Sequence, residues 1–194
     1  MALGFQRSSG EDFLPSFRFN SISGDIIVAS SVKNEKTNEW EKTENEVKVP
    51  VKFVFDLADI EIGWMHFSTS GPSFAMTKLG MPLPTRPTTD HKQGFRVKMF
   101  NKEHGLCVFS ATSKTICDAM DELHDAYIKG EKENPNKVPV IEIRGTEKVP
   151  VKTRDGTKNF KKPSWSIVAW VTRPEQMAEK VVSAAVESDD GDEF

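Results

Sequence analysis

The chain has little cysteine: Cys107 and Cys117 are the only two in 194 residues, which excludes a disulfide framework and fits a reducing compartment. It also lacks any apolar run approaching the roughly 18 residues of a membrane helix. Met1 to Asp12 has no apolar stretch of the kind that drives secretion. A soluble, cytoplasmic protein with no membrane partner is therefore expected. Glycine-rich phosphate loops, a nucleophile elbow and a His-Asp-Ser constellation are all missing. The only zinc-like set, His104, Cys107, Cys117 and His124, has no CxxC or HxxxH spacing, and Cys117 sits beside an apolar helical stripe where a buried, inert thiol is expected. Asp56, Asp59 and Glu61 cluster in sequence as a Mg²⁺ site would, but carboxylates on an antiparallel strand ordinarily face water. The reading is of a non-enzyme with no metal and no cofactor.

What is present is an uneven distribution of charge. The net charge is −3. From Glu175 onward, however, seven acids face a single base, Lys180, so the preceding residues are net positive. Within that body, Arg144 to Arg173 holds eight bases and two acids. The chain ends Glu187-Ser-Asp-Asp-Gly-Asp-Glu-Phe194, with five acids, no base and a terminal aromatic. Such a segment cannot bury enough apolar surface to offset its ordering entropy and reads as a disordered tail. A basic body with an acidic tail can bind a polyanion and also mimic one.

At 37% hydrophobic residues the length supports one domain with a real core. Period-2 alternation with β-branched and aromatic residues dominates. Strands are expected over Phe17 to Ser31 (broken at Ser23-Gly24-Asp25), Val47 to Leu57, Asp59 to Phe67, Phe95 to Asn101, Leu106 to Ala111, Val138 to Arg144 and Trp165 to Arg173. Lys33 to Glu46 reads as a charged loop or hairpin tip with Trp40 at its centre, and Ser68 to Gly94 as a long surface excursion. One helix runs from Ser113 or Lys114 to Lys129: Thr112 or Ser113 can cap it, Ile116, Met120, Leu123 and Tyr127 form its apolar stripe, and Gly130 is placed for an αL stop. A short helix over Pro174 to Val186 would precede the tail. Lys-Val-Pro-Val occurs three times, and the unequal spacing makes Pro50, Pro139 and Pro150 strand starts or edges rather than marks of a repeat. Strands, one helix, then two closing strands is the order of an OB-type Greek-key barrel, here with extra hairpins, and such barrels bind oligonucleotides. The expected organisation is residues 1–173 as an OB-fold single-stranded-DNA-binding domain and 174–194 as linker or short helix plus acidic tail.

Single strands need positive charge for phosphates and flat rings for unstacked bases. Arg154, Lys158, Phe160, Lys161, Lys162 and Trp165 interleave the two. Strict alternation places Trp165 with Ile167 and Ala169, and Trp170 on the other face, where a core role is expected for it. Arg96, Lys98 and Phe100 form a second candidate binding face, opposite Phe95, Val97 and Met99. Lys78, Arg86, His91 and Lys92 in the excursion are placed to close over a strand, while Trp64 and His66 read as structural.

With these features the chain resembles the single-stranded-DNA-binding proteins of tailed bacteriophages, and its tail is similar in kind to that of the bacterial single-stranded-DNA-binding proteins. The resemblance covers the tail closely and the body in pattern. It implies an OB-fold that binds and protects single-stranded DNA in replication, recombination and repair within the host cytoplasm. By the same resemblance Asp189, Asp190, Asp192, Glu193 and Phe194 would recruit replication or recombination proteins and compete for the DNA site. The bacterial proteins usually place proline before the terminal phenylalanine; Glu193 stands there here, which favours a phage-type tail. Rival readings are a non-catalytic protein-interaction module, a recombination annealing factor or nuclease, and an RNA-preferring binder. Homo-oligomerisation is compatible with all of them.

Overall fold

The computed structural model describes residues 14–33, 40–68, 71–154 and 156–178. Among these, ten strands join one mixed sheet: β1 (Ser16–Phe19), β2 (Ile26–Lys33), β3 (Trp40–Glu46), β4 (Val51–Phe55), β5 (Glu61–Ser68), β6 (Gly71–Lys78), β7 (Lys92–Asn101), β8 (Gly105–Ala111), β9 (Lys137–Thr153) and β10 (Gly156–Thr172). The single α-helix among the described residues, α1 (Lys114–Glu131), lies between β8 and β9. The hydrogen-bonded path runs β10-β9-β4-β7-β8-β1-β2-β3, with the β5–β6 hairpin branching from β7. All pairings are antiparallel except β1 with β8.

Along that path the sheet is open, yet it coils strongly. β1 and β4 are three strand spacings apart, about 14 Å in a flat sheet, but the Phe17 and Phe53 rings meet at 5.5 Å. Phe109 of β8 reaches Trp165 of β10 at 6.2 Å although three strands intervene. A backbone bond from Lys161 N–H to the Ser21 carbonyl, 2.7 Å, ties β10 to the β1–β2 turn. The enclosed core is aromatic and aliphatic: Phe17, Phe53, Phe55, Phe109, Ile141 and Ile143 are buried, and α1 closes it with Ile116, Met120, Leu123 and Tyr127. The expected alternation in β7 is seen, with Phe95, Val97 and Met99 buried and Arg96, Lys98 and Phe100 half-buried on the other side.

Several expectations are corrected. Trp40–Glu46 is a strand, paired with β2. From Glu41 to Glu46 its side chains are exposed on both faces, so no hydrophobic period marked it. Within the expected excursion, Gly71–Lys78 pairs with β5 as β6, and among its described residues 79–91 are irregular. β9 and β10 are each 17 residues long, far beyond the short strands expected. Gly130 does not stop the helix, which runs on to Glu131 with Lys132 still right-handed; the left-handed residue is Asn136, φ 62°. Ser113 precedes the helix without a side-chain capping bond. Gly130 instead makes room, since a Cβ there would lie 2.5 Å from the Trp170 ring. After Pro174 a 3₁₀ turn, Glu175–Met177, buries Met177 near β7; the remainder of the expected short helix, and the tail from Asp189 to Phe194, fall outside the described residues.

Candidate nucleic-acid interface

β9 pairs with β4 only over Val140–Ile143. From Gly145 to Ser164, among the described residues, β9 and β10 make strand pairings only with each other and form a two-stranded arm. Its register assigns its faces, because directly opposed residues point the same way. Lys148 opposes Lys161 and Lys152 opposes Thr157, giving one face that among the described residues carries bases and no acid. Val149 opposes Phe160, Val151 opposes Lys158 and Glu147 opposes Lys162, giving a second face that mixes an aromatic, aliphatics and two bases. Arg154 is exposed in the tip turn.

Neighbouring lysines thus serve different partners. Lys161 donates to the Ser23 carbonyl in the β1–β2 turn. Gly24, at φ +83°, permits this approach: a Cβ there would come within 2.7 Å of Lys161 Cδ. Lys162 turns to the helix, with Nζ 2.9 Å from Glu122 Oε2 and 3.9 Å from Glu147 Oε2. The Glu122 bond leads the causes that raise the Lys162 pKa, so the ammonium is held charged.

Glu122 lies at the mouth of a cleft of about 480 Å³ between α1 and β10. Leu123, Ala126 and Gly130 line its helix side, Trp165, Ile167 and Trp170 its strand side, and Ser166 completes the lining. Both tryptophans reach this cleft because Val168 is an extra residue in β10: Ile167 opposes Ile141, whereas Ala169 opposes the next residue, Val140. Such a bulge resets the alternation. Trp165, Ile167 and Trp170 therefore share a face, contrary to the expectation that Trp165 and Trp170 would point apart. Trp165 meets Phe55 and Phe109 edge-on at 6.1 and 6.2 Å, and Trp170 stacks on Tyr127 at 5.7 Å. Each is half-buried, with part of its ring in the core and part lining the cleft.

Arg96, Lys98 and Phe100 are not brought to this cleft. They lie on the face of β7 opposite Met99, whereas Trp165 packs on the buried side. Arg96, with its side chain 14% exposed, sits 3.9 Å from Glu61 and 5.6 Å above the Phe74 ring. In the former excursion, the Pro84 carbonyl accepts from Trp64 of β5 at 2.9 Å, and Arg86 lies over the Trp64 ring at 5.1 Å. His91 is buried between Thr88 and Ser73, and Lys78 pairs with Asp59 at 2.7 Å, so these residues pin the segment to the β5–β6 hairpin.

The imagined acidic site is dispersed among cations. Asp59 pairs with Lys78, Glu61 with Arg96, and Asp56 with Arg173 at 2.7 Å. Burial pushes the Asp56 carboxyl above its ordinary range against the pull of Arg173. Among the described residues no group of three His, Cys, Asp or Glu is arranged to hold a metal, and no helix is long and apolar enough to cross a membrane. His104 instead stacks on Phe53, with centroids 5.9 Å apart. Sequence reasoning missed Glu122. Its partner Lys162 is 40 residues away, and only the fold joins them.

The chain matches no protein-family model, and comparison with curated proteins and with solved structures gives no match.

Proposed function

We propose that this protein binds single-stranded DNA without sequence-specific readout and without catalysis. The observation that carries the reading is the junction at Lys162: a basic arm bearing Phe160 leads, through the Lys162 ammonium, into a cleft lined by Trp165 and Trp170. Phosphates would take Arg154, Lys158 and Lys162, and bases would stack on Phe160 and the exposed parts of the tryptophans, each stack contributing about 1–3 kcal/mol. Lys161, spent on the β1–β2 turn, supports the arm rather than the strand. Arg96, Lys98 and Phe100 would form a separate, weaker patch on the outer face.

In this reading the coiled sheet is an elaborated OB-type barrel, with the Lys161–Ser21 bond bridging its seam. The resemblance to phage single-stranded-DNA-binding proteins then assigns the acidic segment Asp189 to Phe194 two tasks: competing for the basic arm at high effective concentration, and recruiting replication or recombination proteins once DNA displaces it. The setting would be the cytoplasm of an infected host.

The test is intrinsic tryptophan fluorescence during titration with oligo-dT and with duplex DNA, for the full chain and a chain ending at Val186, at two salt concentrations. Quenching by the single strand, lost in Trp165→Phe and Trp170→Phe, is expected. Three neutralised phosphates give a log–log salt slope of about −2. Removing the tail tightens binding. No response to either nucleic acid overturns the proposal and favours an acidic protein as the ligand of the arm.

A further inference from the structure

Among the described residues the cleft is lined by one ionisable group, and it is an acid. Glu122 lies among apolar and aromatic walls, with its side chain 68% exposed. Its Oε2 is engaged by Lys162, while among the described residues Oε1 takes no hydrogen bond. A carboxylate is acceptor-only. A base stacked in this cleft therefore meets an acceptor at Glu122. Cytosine presents an amino donor at N4, adenine at N6, and guanine at N2. Thymine presents two carbonyl oxygens around a single N3–H, and these repel a carboxylate.

Resting on the single-strand reading above, we propose that Glu122 is a specificity-determining residue which makes the cleft favour amino-bearing bases over thymine. Lys162 has a separable role: it meets phosphate, raising affinity for every sequence alike. The protein would coat single strands generally, with a compositional bias set by one side chain. One net hydrogen bond to a partly exposed charged acceptor corresponds to a preference of about three- to tenfold.

The experiment compares oligo-dC with oligo-dT of equal length by fluorescence anisotropy, using the full chain, Glu122→Gln and Lys162→Met. The full chain is expected to bind oligo-dC about three- to tenfold more tightly. Glu122→Gln, which leaves an exposed residue of the same shape, should bring the ratio close to one. Lys162→Met should weaken both ligands by one factor and keep the preference. Equal binding of the two oligomers by the full chain, or an equal shift of both in Glu122→Gln, overturns the inference while leaving single-strand binding standing. Failure of the full chain to bind either oligomer overturns both.

Discussion

Arg173→Ala should destabilise the fold far more than the loss of a surface ion pair would. Asp56 is 1% exposed, its Oδ1 lies 2.7 Å from Arg173, and its Oδ2 has no hydrogen-bond partner among the described residues. Removing the guanidinium leaves a buried carboxylate without its strongest counter-charge, a change that costs about 3–5 kcal/mol. Arg173 is itself 37% exposed, so water reaches the pair, and the lower end, about 3 kcal/mol, is expected at neutral pH. The pH dependence follows from the direction of the Asp56 shift. Its folded pKa is raised above 3.8 by burial, and Arg173 is the main opposing cause. A raised carboxyl pKa means the folded state binds the proton more readily, so this site opposes folding at neutral pH and favours it increasingly as pH falls through the folded pKa. Without Arg173 that pKa rises further. The penalty of Arg173→Ala should therefore be largest at neutral pH and shrink as pH falls toward the ordinary value of 3.8. Urea unfolding of the wild type, Arg173→Ala and Asp56→Asn/Arg173→Ala at neutral and acid pH measures this, and the double variant should recover part of the loss. A neutral-pH loss under about 1 kcal/mol, typical of exposed pairs, or one that does not change with pH, would refute the reasoning.

Gly130→Ala replaces a glycine inside a helix, which by propensity alone stabilises by about 1 kcal/mol. Because the new Cβ would lie 2.5 Å from the Trp170 ring, overpacking should win, with a net loss of about 1–3 kcal/mol in thermal unfolding and a changed near-ultraviolet signal from Trp170; a gain in stability refutes the contact. The two thiols should be sluggish nucleophiles. Desolvation pushes Cys107 up to about 12 and Cys117 up to about 11, so iodoacetamide at mildly alkaline pH should label Cys117 roughly two orders of magnitude more slowly than a free peptide thiol. Cys107, which is fully buried, should be labelled only on unfolding, and native-state labelling of it, read by mass spectrometry, would contradict its placement.

The core was legible because burial writes itself as period. Phe95, Val97 and Met99 alternate, Ile116, Met120, Leu123 and Tyr127 repeat every three or four residues, and both sets are buried as expected. Elements lacking a buried face left no such mark. β3 is exposed on both sides from Glu41 to Glu46, and among the described residues the distal halves of β9 and β10 make strand pairings only with each other, so charge was their only signature. That signature found the lysines of the arm but could not orient them. Lys161 and Lys162 are adjacent in sequence, yet one is taken up by a carbonyl of the β1–β2 turn and the other by a helix carboxylate.

The tryptophans show why composition located the candidate site while alternation misassigned it. A strict period of two requires Trp165 and Trp170, five residues apart, to face opposite sides. One exposed residue without special chemistry, Val168, breaks that period and turns both rings toward α1. Nothing in a valine announces a bulge, because the extra residue is fixed by the register of β10 against β9 and not by local propensity. The arm carries a related tension. Lys148 directly opposes Lys161, an arrangement that like-charge repulsion disfavours. The Ser23 carbonyl relieves it on the Lys161 side, but no salt bridge is seen at Lys148 among the described residues. A bound polyanion would relieve what remains. That face is opposite the one assigned above to the strand through Lys158, Phe160 and Lys162, so an anion relieving Lys148 would make a second contact with the ribbon, and Lys148→Ala should leave the first one intact.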